Sequence, residues 1–75
     1  MDSKLLSILN IVLENAGLDG LESINDEMDL RQDIGFDSFN LAELTVHVED
    51  EFGVDIFENG IVNTVGEIKS KLKSA

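Results

Sequence analysis

The chain contains no cysteine. Disulfides, thiolate metal sites and cysteine nucleophiles are therefore excluded. A single histidine, His47, rules out a multi-histidine metal centre. No apolar run is long enough to span a membrane. The opening stretch MDSKLLSILNIVL carries Asp2 and lacks both a basic n-region and a small-residue cleavage site. No signal peptide is expected on that basis, and the cytoplasm is the expected compartment. Basic residues are scarce: five stand against sixteen acidic ones, for a net charge of −11. Lys69, Lys71 and Lys73 sit late in the chain and Lys4 early, with Arg31 alone between them. Such an anionic middle repels nucleic acid and anionic lipid. It attracts a basic patch on a protein partner and speeds encounter with it.

What is present is enough for one small folded domain over residues 1–75. At 43% hydrophobic, the sequence is too apolar for a disordered chain, although its core is modest. Leu5, Ile8, Leu9, Val12 and Ala16 recur at helical spacing, with Leu6 and Leu13 flanking them, and predict a helix over residues 3–16. Ser3 or Asp2 can cap its start and Gly17 can stop it. Ile11 falls off this stripe. Residues 17–36 have no long period. Their scattered Leu18, Leu21, Ile24, Met28, Leu30 and Ile34 predict a long loop packed over the core. A second helix is expected over residues 38–52, on Leu41, Leu44, Val48 and Phe52, with Asp37 as N-cap and Gly53 as terminator. A short helical turn is expected around Phe57–Val62. Thr64 and Glu67 form a T-x-x-E capping box opening a last helix lined by Val65, Ile68 and Leu72. The three late lysines suit the negative end of that helix dipole. The expected fold is all-α: three main helices, one short helix and a long first loop in a small four-helix bundle.

Self-contained catalysis finds no support here. Ser38 has no G-x-S-x-G elbow around it. His47 lies nine positions further along the same helix, more than two turns away, and cannot serve Ser38 as a base. It reads as a solvated helix residue. No acidic stretch supplies calcium ligands at EF-hand spacing: neither DEMDLRQDIGFD nor DEFGVDIFENG fits. No catalytic residue and no metal ligand is assigned.

The stretch DIGFDSFNLAEL carries the functional signal. Gly35 bends the backbone just before Ser38. Phe36 and Phe39 flank Asp37-Ser38 and cannot both be buried cheaply. Phe39, Ala42 and Val46 form a second apolar stripe beside the core stripe, bordered by Glu43, Glu49 and Asp50. An apolar strip rimmed by acids at an exposed helix start is an interface pattern.

IGFDSF followed by NLAELTVHVEDEFGVDI resembles the phosphopantetheine-attachment region of acyl carrier proteins. The family pattern of aliphatic residue, Gly, variable residue, Asp, Ser and usually Leu is filled by Ile34, Gly35, Phe36, Asp37, Ser38 and Phe39. EDEFGVDI and TVGEI look like the family's acidic helix end and last-helix entry. The resemblance covers nearly the whole chain. It implies a stand-alone, monomeric, non-catalytic carrier with 4′-phosphopantetheine joined covalently to Ser38. The arm's terminal thiol would hold an acyl group as a thioester for fatty-acid, polyketide or specialised metabolism. The implied partners are a pantetheinyl transferase and acyl-loading and acyl-processing enzymes with basic docking patches. Asp37 would help the transferase recognise the site, a metal shared in that complex being one route. Phe36, Phe39, Ala42, Glu43, Val46, Glu49 and Asp50 occupy the matching docking positions.

Four departures qualify the resemblance. Phe39 replaces the usual Leu, and Phe36 is bulky where the family is often small. Phe57 stands where Pro is common, and the segment from Phe57 to Asn63 is shortened. In the family this segment helps to close the pocket that shelters an acyl chain, so a short, polar or aminoacyl cargo fits at least as well as a long one. The alternatives are an aminoacyl or peptidyl carrier, and an unmodified acidic module that docks on basic partners by the same helix. A charge of −11 opposes compaction by self-repulsion. Added salt or a divalent cation should therefore raise the melting temperature, and a thermal melt unmoved by either would contradict this.

Overall fold

The computed structural model describes residues 2–58, 60 and 62–74. It contains three helices: α1 (Asp2–Asn15), α2 (Ser38–Phe52) and α3 (Val65–Ser74), with no strand among the described residues. Leu5, Ile8, Leu9, Val12 and Leu13 of α1 are all buried, as their spacing requires. Ile11, off the stripe, is 44% exposed. Ala16 lies beyond the helix end and is exposed rather than on the buried face. Gly17 adopts φ +76°, the left-handed conformation that ends helices. The Leu18 N–H then returns to the Leu13 carbonyl at 2.8 Å, satisfying one of the terminal acceptors. Asp2 and Ser3, the expected caps, are both inside the helix.

The apolar faces of all three helices meet in one cluster. Leu41, Leu44 and Val48 of α2 join Val65, Ile68 and Leu72 of α3 and the α1 stripe, and α1 packs directly on α2. Phe52 is only partly buried against this core. The long first loop packs over it through all of its expected apolar residues except Leu18, which is 43% exposed. Leu30, Ile34 and Phe36 are buried, with Leu21, Ile24 and Met28 packed alongside. Polar clasps fix its course. The Asn10 side chain donates to the Leu21 carbonyl at 3.0 Å and accepts the Leu21 N–H at 2.7 Å.

The same loop caps α3. The Val65 N–H donates to the Met28 carbonyl and the Gly66 N–H to the Asp26 carbonyl, each at 3.0 Å. The Leu30 N–H donates to the Asn63 carbonyl at 2.8 Å, beside an isolated antiparallel bridge between Asp29 and Thr64. A Cβ at position 66 would stand 3.0 Å from the Asp26 carbonyl oxygen, so this close approach calls for glycine. The T-x-x-E box forms only in part, because Glu67 reaches past the Thr64 N–H to that of the residue before it. Thr64 Oγ1 accepts the Glu67 N–H at 3.2 Å, and Glu67 Oε1 accepts the N–H of Asn63 at 3.2 Å.

The short helix expected around Phe57–Val62 is not formed among the described residues. Ile56–Glu58 makes a turn instead, in which the Asp55 side chain accepts the Phe57 N–H at 3.0 Å. That side-chain bond offers the backbone an alternative to a helical ladder. Positions 59 and 61 of the expected turn lie outside the described residues. Ile56 and Val62 bury their side chains at either end of the segment. No helix is long and apolar enough to cross a membrane among the described residues.

Lys69 ties three segments together. Its ammonium lies 2.7 Å from Asp26 of the loop and 3.1 Å from Asp2 of α1. The hydrogen bond from Lys69, reinforced by its charge, holds the Asp26 carboxyl below the usual carboxylate range. The bonds to Asp26 and Asp2 raise the Lys69 ammonium above the usual lysine range. A depressed acid stabilises the fold above its unfolded value, and that contribution is lost as pH falls through the lowered one. A raised base stabilises below its unfolded value, and the contribution is lost as pH rises through the raised one. Lys69→Gln should therefore lower the melting temperature most between about pH 4 and about pH 10, with the gap to the native chain closing in stronger acid. Melts across this range check it; a gap that does not change with pH would contradict the assignment.

Candidate functional site

Three local features place Ser38. Gly35 adopts φ +95°, a backbone conformation that other residues rarely take. Phe36 then turns into the core, and its N–H donates to the Leu30 carbonyl at 2.9 Å. Asp37, with φ −98° and ψ −174°, is the N-cap of α2. Ser38 is thus the first helical residue, and it is exposed.

The cap is a reciprocal pair. Asp37 Oδ1 accepts the Asn40 N–H at 2.9 Å, and Asn40 Oδ1 accepts the Asp37 N–H at 3.0 Å. Asn40 is 7% exposed and was not singled out from the sequence. The available signal was its place three residues after the N-cap, where a capping box puts Glu or Gln. Among the described residues the Ser38 and Phe39 N–H groups form no hydrogen bond, and neither does Asp37 Oδ2. Free first-turn N–H groups and the positive end of the helix dipole favour an anion at this position.

The two phenylalanines part company. Phe39 is 74% exposed, whereas Phe36 is 3% exposed and belongs to the core. This corrects the expectation that Phe36 is a docking residue: the Gly35 bend and the bond to Leu30 send its side chain inward, out of a partner's reach. Val46 is 66% exposed, and Ala42, Glu49 and Asp50 are exposed as well. The second stripe of α2 therefore faces outward. Val46, Glu49 and Asp50 bound a shallow hollow on that side. Glu43 is more confined than expected. Its Oε2 accepts from the Asn15 side chain of α1 at 2.6 Å and lies 3.5 Å from His47 Nε2. His47 is accordingly half-buried against Glu43 rather than fully solvated.

Beside Ser38 opens a groove of about 480 Å³. Ser38, Leu41, Ala42 and Thr45 of α2 form one wall, and Arg31, Asp55 and Phe57 complete the lining. The groove brings together residues from three separate stretches of chain. The sequence had set Arg31 apart only as the lone basic residue of the acidic middle. Among the described residues no cluster of acids and His47 is arranged to hold a metal ion.

A family model described as the phosphopantetheine attachment site matches residues 7–69. No solved structure gives a significant match. The match takes in the whole of α2, the long loop and the groove.

The Asp37–Asn40 pair should be worth about 1 kcal/mol, as helix caps commonly are. Asn40→Ala should lower stability by about that amount, while Asn40→Gln, which suits a capping box, should lose less. Denaturant melts of both variants check this, together with hydrogen exchange at the Asp37 amide, which should speed up in the alanine variant only.

Proposed function

As the chain belongs to the phosphopantetheine attachment family, a carrier whose 4′-phosphopantetheine is joined covalently to a serine, we propose that Ser38 is that serine and that the cargo is an acyl group. The observation that carries the assignment is the exposed Ser38 at the capped N-terminus of α2, within IGFDSF. The site suits the group in three respects. The hydroxyl is accessible, first-turn N–H groups are free to face a phosphodiester, and an open groove lies alongside to receive the root of the arm. When attached, the arm supplies a terminal thiol, which holds cargo as a thioester and makes up for the missing cysteine.

The chain's own part is to present the arm, and it acts as a non-catalytic carrier. Asp37 holds the helix start through Oδ1 and keeps Oδ2 open, which supports a role in recognition by the pantetheinyl transferase. Phe39, Ala42 and Val46 form the apolar strip for docking, with Glu49 and Asp50 as its exposed acids. Loading and processing enzymes with basic patches fit this surface by charge and by apolar contact. Glu43, tied to Asn15 and His47, stands at its margin.

Cargo is read from the groove. Leu41, Ala42 and Phe57 suit an aliphatic stem, while Arg31, Thr45 and Asp55 put polar groups in the same lining. That mixture favours a short or polar acyl group. It also supports the second reading, an aminoacyl or peptidyl carrier, since the Asp55 carboxylate could face an ammonium group; the high acidity of the chain speaks against it.

Intact mass, measured before and after incubation with coenzyme A, magnesium and a broad-specificity pantetheinyl transferase, tests the assignment. The native chain should gain one phosphopantetheine and Ser38→Ala none. A folded native chain that gains nothing, or an alanine variant that still gains one, would overturn it.

A further inference from the structure

The arm adds another anion to a strongly acidic molecule and places it between carboxylates. Asp37 adjoins Ser38 in sequence, and Asp55 lines the same groove. Dipole and free N–H groups offset part of this repulsion. One side chain is placed to offset more. Arg31 lines the groove with Ser38 and is the only basic residue between Lys4 and Lys69.

We propose that the Arg31 guanidinium binds the phosphodiester on Ser38 and seats the root of the arm in this groove. The inference rests on the assignment of the arm to Ser38. The position of Arg31 is fixed from both sides. Asp29 Oδ1 accepts the N–H groups of Arg31 and Gln32, each at 2.8 Å, which closes a tight turn. The Phe36 N–H bonds to Leu30 and thereby joins that turn to the start of α2. Arg31 Nη1 donates to the Asn63 side chain at 3.0 Å, which orients the guanidinium.

The charge of Arg31 is also uncommitted. Lys4 pairs with Glu51, and Lys69 with Asp2 and Asp26. Arg31 forms no ion pair among the described residues, despite the surrounding acids. One N–H is taken by Asn63, and the others are left for a ligand. A guanidinium presents paired N–H groups that match two phosphate oxygens, which a lysine ammonium cannot do.

The test uses the whole 75-residue chain carrying the unloaded arm, whose only anionic group is the phosphodiester, so a cargo carboxylate cannot produce the signal. The Arg31 Nε–H resonance should shift and exchange more slowly on conversion from the apo to the modified protein. The phosphorus resonance of the arm should differ between native and Arg31→Gln proteins, with Arg31→Lys in between. High salt should move the native resonance toward the glutamine value. An Arg31 signal unchanged by modification, with one phosphorus shift in all three proteins, would overturn the proposal. The comparison of apo with modified native protein needs no variant, so a misfolded substitution leaves the test intact. A folded native chain that takes up no arm would overturn the Ser38 assignment and this inference together. An arm in place with Arg31 unmoved would overturn this inference alone.

Discussion

The structure depends on a short seam of backbone hydrogen bonds between residues 26–30 and 63–66. Helix α3 is only ten residues long, too short to be stable on its own in water. Its first N–H groups need acceptors, and two of them find loop carbonyls at Asp26 and Met28. The loop in turn has no regular ladder of its own and uses α3 as its partner. Each element satisfies the other's backbone, and both bury side chains in the common core. The seam also reaches the start of α2. Leu30 bonds to Asn63 on one side and accepts from Phe36 on the other, one residue before the N-cap of α2.

A second constraint is charge. Sixteen acids on a small fold repel one another, and the structure spends its few cations carefully. Lys69 holds loop, α1 and α3 together through Asp2 and Asp26. Glu43 is drawn to α1 by Asn15. Glu49 and Asp50 stay exposed beside Phe39 and Val46 on α2. The acids that pair with Lys69 lie away from α2, on α1 and the long loop, so the ion pairs that steady the fold leave Glu49 and Asp50 uncommitted.

Much of this was legible in advance. The limits of α2, the N-cap at Asp37 and the stop at Gly53 follow from local chemistry, since caps and terminators act within a few residues, while the attachment motif was legible by its resemblance to a family. The buried stripes of the helices follow from the helical period alone. Less local features were misread. Ala16 kept the α1 period but lay past its end, because Gly17 had already turned the chain. The expected short helix near Phe57 gave way to a turn once the Asp55 side chain took the Phe57 N–H. Phe36 and Phe39 look alike in sequence, and only the direction of the Gly35 bend decides which of them is buried.

By itself, then, the sequence determined where the helices run, which serine stands at the start of α2 and which family the chain joins. The first two rest on interactions between near neighbours in the chain, and the third on a pattern of residues spread over most of it. Tertiary structure decided the rest: the inward course of Phe36, the capture of Glu43 by Asn15, and the meeting of Arg31, Asp55 and Ser38 around one groove. The second depends on the packing of α1 against α2, and the other two on how the long loop crosses the core. No local pattern encodes that path, because it is set by backbone partners more than thirty residues apart.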